Sequence, residues 1–344
     1  MSVSQFKGFG DMKRGKITPT ELAMGRREWA MLVLLAVIWG SSFFFFKIML
    51  AALPPFTVVL GRVGLSAVIL NLWLLLRRDY MPTSARTWGA FLVMGLLNNV
   101  IPFTLIVIGE TRISVGLASI LNATTPMFTV LVAHWLTTNE KLTPGKFAGV
   151  AIGLAGVAVL IGPDVLAGSG AEDLAGEIAC LSAALSYAFA AIYGRRFKGL
   201  KPIQVATGQI TGSTLVLLPL VAVIDRPWTL QVPGADIWGA MIGIAVLCTV
   251  FAYVLYFRIL AVAGATNVLL VTLLVPVSAL LLGWLALGES VAPRALGGMA
   301  VIGLGLACID GRIARILLAK LRRPGGGARP EEVVMHLFND GDGI

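Results

Sequence analysis

Two cations lie in stretches of sequence that are otherwise apolar. Lys47 follows a run of four phenylalanines, and Arg62 lies within the run VVLGRVGL. A guanidinium is planar, permanently charged and able to hold a carboxylate through two hydrogen bonds, whereas a lysine ammonium is a compact point charge. The two side chains therefore suggest a site for a substrate or intermediate that carries an anionic group, such as an amino acid or an organic acid.

Polar and aromatic side chains are embedded in the same kind of apolar sequence, and we expect them to line a pathway with the two cations. The amides and hydroxyls could instead form ordinary hydrogen bonds between helices, and the rings could instead pack or act as anchors. The remaining candidates are Trp39, Asn98, Asn99, Asn122, Tyr187, Gln209, Tyr253 and Thr272. Adjacent residues on a helix point about 100° apart, so at most one of the two neighbouring asparagines faces a cavity squarely.

Three prolines lie beside these polar residues: Pro102, Pro126 and Pro276. Proline removes a backbone hydrogen bond, so each is expected to bend its helix and to open polar backbone toward the middle of the membrane.

The elements that must position these side chains are transmembrane helices. The 344-residue chain is 57% hydrophobic and 13% charged, with a mean hydropathy of +0.88, whereas soluble domains carry about 25% charged residues. An α-helix needs roughly 20 apolar residues to cross the hydrocarbon core, and the runs here are apolar on every face, unlike barrel strands. The ten candidate spans are 29–50, 55–76, 88–108, 114–137, 145–162, 175–194, 203–224, 237–257, 265–287 and 293–311. The sequence therefore predicts an all-α integral membrane protein.

The net charge of +9 is distributed asymmetrically over the loops between these spans. If the N-terminus is cytoplasmic, most lysines and arginines fall in internal segments, and only Arg112, Arg226 and Arg294 fall outside. This is the positive-inside pattern, which predicts that both termini are cytoplasmic. The charge is thus explained by orientation in a membrane, and nucleic acid is not an expected partner. No cleavable signal peptide is expected before the first span.

The depth of each cation in the membrane determines which roles are open to it. Lys47 lies about 5 Å from the outer end of its span, so its ammonium could either extend to the interface or line the outer mouth of a pathway. Arg62 lies about 10 Å deep, where a guanidinium reaches water only through a cavity. Arg62 could therefore line such a cavity, or it could instead bind a structural partner, such as a backbone carbonyl at a broken helix.

An internal repeat is visible in the order of the less common residues. The tripeptide WGA at Trp88–Ala90 recurs at Trp238–Ala240, 150 residues later, and Pro126 meets Pro276 at the same spacing. After a slip of one residue, tryptophan, glutamate, proline and glycine matches continue through the two stretches that begin at Glu140 and Glu289. Arg62 falls opposite Gln209. Because five spans is an odd number, the second half must be inverted relative to the first.

The predicted organisation has five parts. They are a basic cytoplasmic N-terminal tail (1–28), a first five-helix repeat (29–162), an external linker (163–174), an inverted second repeat (175–311) and a flexible cytoplasmic C-terminal tail (312–344). Ten helices in two inverted halves favour a carrier that alternates between two open states.

Acidic residues are expected to be structural. Glu140 and Glu289 each stand four residues before a proline that starts a helix, so capping is their expected role. No Asp or Glu lies deep in a span, since Glu110, Glu177 and Asp310 are near span ends. The buried first-helix glutamate that a small multidrug-resistance pump uses for proton exchange therefore has no counterpart, and proton coupling would need an unusual carrier.

The segments WGSSFFFFK, NEKLTPGKFAGVAIGLAG and GESVAPRALGGMAVIGLG resemble the EamA family of the drug/metabolite transporter superfamily over about residues 29–311. The resemblance implies a ten-helix carrier of the bacterial inner membrane with duplicated halves, generally an exporter of amino acids or other small metabolites. The second half departs from the first, with Tyr187 for Trp39 and Gln209 for Arg62, so any substrate site is asymmetric.

The expected function is secondary transport of a small polar metabolite, with membrane lipids as the other partner. Alternatives are an organophosphate or nucleotide-sugar exchanger and, less well supported, a membrane-embedded lipid enzyme. The chain is not expected to be an enzyme, since His134 has no acidic neighbour in its span. There is no P-loop, and three cysteines inside spans suggest neither disulfides nor zinc, so no cofactor or metal is expected. Glycine-rich faces are compatible with a homodimer but do not indicate one.

Overall fold

The protein is helical in the part of the chain that the structure, a computed structural model, describes: residues 25–138, 142–162, 171–263, 268 and 270–310, where no strand occurs. The helices are α1 (Arg26–Leu50), α2 (Pro55–Leu76), α3 (Ala85–Gly95), α4 (Ile101–Glu110), α5 (Val115–Asn122), α6 (Thr125–Leu136), α7 (Pro144–Ile161), α8 (Ala171–Tyr193), α9 (Pro202–Ile224), α10 (Ala235–Ala245), α11 (Ala252–Ala263), α12 (Val271–Leu287) and α13 (Pro293–Asp310).

Eight continuous stretches among these residues are long and apolar enough to cross a membrane. They are Arg26–Leu50, Pro55–Leu76, Ala85–Glu110, Val115–Leu136, Pro144–Ile161, Asp173–Phe197, Pro202–Ile224 and Ala235–Ala263. Two further apolar helices, Val271–Leu287 and Pro293–Ile309, are shorter. Ten membrane crossings in two inverted repeats therefore stay a prediction. Many large apolar side chains on the helix surfaces are exposed, as on α2 at Val68, Leu72 and Leu75, which suits helices that face lipid.

Helix boundaries follow ordinary start and stop signals. Proline is the first residue of α2, α7, α9 and α13, where its missing N–H would have had no partner. Gly162 follows α7 and Gly288 follows α12, both with positive φ. Helix α8 begins at Ala171, before the predicted span 175–194 and inside the stretch assigned to the linker. Glu140 and nearly all of the two tails lie outside the described residues.

Two long helices are interrupted by π-helical turns. The turn π1 (Leu96–Val100) joins α3 to α4, and π2 (Val246–Phe251) joins α10 to α11. Their first residues are 150 apart, the spacing of the WGA repeat. Pro102 follows π1, but alanine stands at the matching position after π2, so proline alone does not account for the two interruptions. Such turns are uncommon and often lie at functional sites.

Helix α1 packs against α10, α11 and α12, while α2 packs against α9 and α4 against α8. The most extensive contact between two helices in the described residues is that of α7 with α13. A Cβ added at Gly149 would meet the carbonyl oxygen of Gly305, and one added at Gly298 would meet that of Gly156. These glycines let two backbones touch, and the glycine face of α7 is therefore used within the chain.

Candidate functional site

Arg62 is the centre of the candidate site. It lies on α2 and is 6% exposed. Its Nε donates to Thr249 Oγ1 at 3.1 Å, and Nη2 is 3.4 Å from the carbonyl oxygen of Cys248. Both acceptors belong to π2. The alternative, structural role of Arg62 is binding to a backbone carbonyl at a broken helix, and such a contact is present in the structure.

The wide turn of π2 is what makes these acceptors available. The Thr249 hydroxyl donates its proton to the carbonyl of Ile244, five residues earlier, at 3.1 Å, so its oxygen lone pairs face Arg62 as acceptors. The neighbouring carbonyl of Ala245 accepts from Ser66 of α2 at 3.2 Å. Arg62 of α2 therefore binds π2, and Ser66 of α2 binds the last residue of α10, directly before π2.

Aromatic rings cover the guanidinium. The ring of Phe103 on α4 lies 3.9 Å from Arg62 Cζ, and that of Phe46 on α1 lies 5.2 Å away. Cations over aromatic faces are attracted by the ring quadrupole. Phe103 is also in edge contact with Tyr187 of α8, at 6.5 Å between centroids. Residues from four helices thus enclose one positive charge.

No carboxylate in the described part of the chain forms an ion pair with Arg62. Its hydrogen-bond acceptors are a hydroxyl and a carbonyl. The other groups that interact with its charge are Tyr187, Tyr253 and the Cys248 thiol. Several guanidinium N–H groups are left without an acceptor among the described residues, since arginine carries five. The site is therefore chemically suited to an anion that brings its own oxygens.

A chain of polar side chains runs beside the guanidinium. Asn98 of π1 donates to Gln209 Oε1 at 3.2 Å, and Gln209 Nε2 donates to the Tyr253 hydroxyl at 2.9 Å. Asn99 points elsewhere: it is fully buried and donates to Ser213 at 3.0 Å, which ties π1 to α9. The two neighbouring asparagines thus take different partners, and only Asn98 joins the chain that reaches Tyr253.

Trp39 reaches the same region through other rings. Its indole lies 5.7 Å from Tyr256, which contacts Phe257 at 5.4 Å, and Phe257 stacks on Tyr253 at 6.0 Å. We call the combined group the Arg62 site. It consists of Arg62, Phe46, Phe103, Thr249, Tyr187, Tyr253, Gln209, Asn98 and Trp39.

Lys47 is not part of the Arg62 site. Its ammonium donates to the carbonyl oxygen of Glu110 at 2.6 Å and lies 3.4 Å from that of Ile113. It is therefore bound to the end of α4, and its place at the outer mouth of a pathway stays a prediction. The physical reason is that the last carbonyls of a helix have no partner within it and carry partial negative charge, so a nearby cation is held there.

Four other predicted residues lie apart from Arg62 or at helix ends. Thr272 and Pro276 line an apolar cleft of about 270 Å³ formed mainly by α12 and α13, and no residue of the Arg62 site lines it. Pro276 lies inside α12, which continues without interruption. Asn122 ends α5, and its buried Oδ1 has no hydrogen-bond partner in the described residues. Pro126 begins the next helix together with Thr125, after a break at Ala123 and Thr124.

Glu289 caps a helix, but not the expected one. Its Oε1 accepts from the backbone N–H of Val115, at the start of α5, at 3.0 Å. The reason is that the Glu289 N–H binds the carbonyl of Gly283, which folds the residue back along α12, and α12 packs against α5. The carboxylate therefore lies closer to α5 than to the helix that starts at Pro293.

Sequence reasoning missed several residues of the site. Phe46, Phe103 and Thr249 look like ordinary apolar or weakly polar residues of membrane helices. The available signal was the spacing of 150, which places Cys248 and Thr249 opposite Asn98 and Asn99. Glu110 lies at the end of its span, as predicted, and the structure also buries it completely, which the sequence did not indicate. In the described residues, no group of three or more His, Cys, Asp or Glu is placed to hold a metal.

Comparisons with known proteins agree with this architecture. The EamA-like transporter family model matches residues 27–162 and again residues 174–309. "Uncharacterized transporter YoaV" of Bacillus subtilis is 26% identical over 280 residues, covering 80% of this chain and 94% of that protein. "Uncharacterized inner membrane transporter YedA" of Escherichia coli K12 is 28% identical over 271 residues, covering 74% of this chain and 85% of that protein.

A solved crystal structure has the same fold. It superposes with a TM-score of 0.61 at 19% identity and covers 84% of this chain and 99% of its own. The two family matches span most of the described helices, and the relatives are named as transporters. The chain therefore belongs to the EamA-like transporter family and is a multi-pass membrane transporter.

Proposed function

We propose that the protein is a secondary transporter of a small metabolite with an anionic group, such as an amino acid or an organic acid, and that Arg62 binds this group. The observation that carries the proposal is the buried guanidinium, which has neutral partners and no carboxylate partner in the described residues. A substrate carboxylate would provide the missing counter-charge through two hydrogen bonds. Tyr187, Tyr253 and Gln209 would orient the rest of the molecule. The family resemblance favours export.

The proposed mechanism is alternating access between two inverted halves. One support is a pair of contacts that mirror each other. Asp225, after α9, accepts from the N–H and hydroxyl of Thr57 near the start of α2, at 2.7 and 2.8 Å. Asp79, after α2, accepts from Gln204 near the start of α9 at 3.2 Å.

Thr57 and Gln204 are each the third residue of their helix, and Asp79 also forms an ion pair with Lys201 at 2.9 Å. If α2 and α9 run in opposite directions across the membrane, the two contacts lie at opposite faces. Such a reciprocal arrangement supports two halves that are inverted relative to each other. The double match of one family model and the 150-residue spacing of π1 and π2 also support two related halves.

An organophosphate or nucleotide-sugar exchanger is less well supported. A phosphate ester carries up to two negative charges, and sites for it usually combine several cations. The second predicted cation, Lys47, is held by backbone carbonyls at the end of α4 instead. One guanidinium with two phenols fits a single carboxylate better.

The test is counterflow in proteoliposomes. A toxicity screen of overexpressing cells against amino acids and organic acids selects the compound. The labelled compound is then expected to exchange across the liposome membrane, while its uncharged amide analogue does not compete. Competition by the amide as strong as by the acid would contradict a role for the anionic group. Exchange of sugar phosphates without exchange of any carboxylate would favour the alternative.

A further inference from the structure

Glu110 is a fully buried carboxyl group that the proposed transport mechanism does not use. It is the last residue of α4 and has no exposed surface. Neither Oε1 nor Oε2 has a hydrogen-bond partner in the described residues. Buried polar side chains are nearly always hydrogen-bonded, and one that is not calls for an explanation.

The surroundings of Glu110 supply donors to other groups but not to its carboxyl. The nearest ammonium, that of Lys47, donates to the backbone oxygens of Glu110 and Ile113. The position at the end of α4 explains the absence of backbone donors, because the last turn of a helix offers carbonyl oxygens and not N–H groups. A negative charge at this end is also opposed by the helix dipole.

Several titratable or charged groups act on Glu110 or lie beside it at this end of the bundle. Lys47 on α1 and Glu289 after α12 interact electrostatically with Glu110. The Cys180 thiol on α8 interacts in the same way with both Glu110 and Glu177. Glu177 in turn interacts with Asp173 and Arg294, Arg112 follows α4 and packs against Gly176 of α8, and α5 carries no titratable residue. We call this region the Glu110 end. Its members are Glu110, Lys47, Cys180, Glu177, Glu289 and Arg294.

The segment from Glu110 to Val115 closes the Glu110 end. Lys47 holds its first part through the carbonyl oxygens of Glu110 and Ile113, and Glu289 holds its last part through the N–H of Val115. Underneath, α4 packs tightly on α8, since a Cβ added at Gly109 would meet Cys180 Sγ and the carbonyl of Gly176. Cys180 is fully buried by this contact.

We propose that Glu110 is a proton-binding site that is occupied while the Glu110 end is closed and that releases its proton when this end opens. Burying a charged carboxylate without partners costs far more than burying a neutral acid. The closed arrangement therefore selects the protonated form. If the Glu110 end opens and water enters, this constraint is removed, because water hydrates the charged carboxylate. Proton binding and closure are then linked, and each stabilises the other.

The sign of the linkage follows. Acid on the side that this end faces favours the closed state, and alkaline solution favours the open state. The proposed orientation places this side outside the cell. The link to transport rests on the proposed function, but proton binding and opening can be measured without a substrate, so the two proposals can fail separately.

The proton itself is measured by infrared spectroscopy of the full chain in lipid bilayers. The wild type is expected to show a carboxylic acid C=O band at neutral pH that is lost in Glu110→Gln and restored in Glu110→Asp. The control is Asp236→Asn, at an exposed position in the first turn of α10, which should keep the band. An unchanged band in Glu110→Gln would overturn the proposal.

Opening is measured by the rate at which a membrane-impermeant maleimide modifies Cys180, with Cys248 and Cys308 replaced by alanine. Raising the pH should accelerate the reaction more steeply with Glu110 than with Glu110→Gln, which mimics the protonated form. The negative charge of ionised Glu110 would by itself disfavour the Cys180 thiolate and slow the reaction. This direct effect therefore has the opposite sign to the effect expected from opening. Equal pH dependence in the two proteins would contradict the linkage.

A second variant leaves Glu110 in place and so covers the case in which Glu110→Gln does not fold. Glu289→Ala removes the acceptor of the Val115 N–H and should loosen the Glu110 end. Cys180 is expected to react faster at every pH, and the acid band is expected to disappear at a lower pH than in the wild type. A Glu289→Ala protein with unchanged labelling and an unchanged band would show that this end does not control the proton.

Discussion

The Arg62 site and the Glu110 end are each built around a buried ionisable group, and the two groups differ in charge and in surroundings. Arg62 donates to a hydroxyl and a carbonyl and is covered by two rings. Glu110 has no hydrogen-bond partner for its carboxyl in the described residues. The difference reflects what membrane helices offer. Interrupted helices and the C-terminal ends of helices expose carbonyl oxygens, which suit a cation and repel a carboxylate. A buried cation can therefore stay charged for ligand binding, while a buried acid in such a place is suited to hold a proton.

The largest effect is expected from removing the cation. Arg62→Ala should abolish exchange of the carboxylate substrate, because truncating one partner of a buried charge pair costs about 2–5 kcal/mol. Arg62→Lys should retain part of the activity, since an ammonium keeps the charge but not the two-pronged geometry. Counterflow at several substrate concentrations measures both.

Arg258→Ala is the matched control, because Arg258 is an exposed arginine on α11. It should exchange the substrate at the wild-type rate. Wild-type exchange by Arg62→Ala would show that the guanidinium has only a structural role, and the contrast with Glu110 would then concern stability alone.

The sequence predicted the helical fold and the presence of Arg62 in a polar group, because hydropathy and helix length fix how such a chain meets a membrane. It also singled out Asn98, Gln209, Tyr187 and Tyr253, which the structure places near one another. These residues are conspicuous in apolar sequence. Whether they line a pathway stays a prediction.

The rest depends on backbone geometry that hydropathy does not report. The acceptors of Arg62 exist because π2 widens one turn, and no proline marks it. The partner of Lys47 is a helix end distant in sequence, which hydropathy does not reveal. Glu110 lies at the end of its span as predicted, but position along a helix says little about which helices cover it. Both features depend on tertiary contacts between α1, α4 and α8.

The next effect concerns the hydroxyl that binds the guanidinium. Thr249→Val keeps the shape of the side chain but leaves Arg62 Nε without its acceptor, and a hydrogen bond to a charged group is worth about 1.5–3 kcal/mol. Thermal unfolding in detergent should show a loss of stability of this order. Thr249→Ser restores the hydroxyl and should recover most of it. Equal stability of the valine and serine variants would mean that the hydrogen bond from Thr249 does not stabilise Arg62. The two regions would then not differ in the hydrogen bonding of their buried ionisable groups.

Thermal unfolding should also separate two contributions to stability at the Glu110 end, that of the backbone carbonyl oxygens and that of the Glu110 carboxyl group. Lys47→Met leaves the carbonyl oxygens of Glu110 and Ile113 without their donor, which costs about 1–3 kcal/mol for a buried group. Glu110→Gln removes no hydrogen bond of the carboxyl and should not lower stability. If Glu110→Gln destabilises the protein as much as Lys47→Met, the carboxyl has a stabilising partner and the contrast between the two regions fails.

The smallest effect distinguishes the two rings over Arg62. Phe103 lies 3.9 Å from the guanidinium carbon and Phe46 lies 5.2 Å from it. Leucine at either position keeps an apolar side chain but removes the ring quadrupole, which is worth about 2 kcal/mol in a desolvated site and falls with distance. Phe103→Leu should therefore weaken substrate exchange and stability more than Phe46→Leu does. In the background of Arg62→Met the difference should disappear, because no cation remains. A difference that persists without the cation would assign the role of Phe103 to packing against Tyr187, and the guanidinium would then be held by π2 alone.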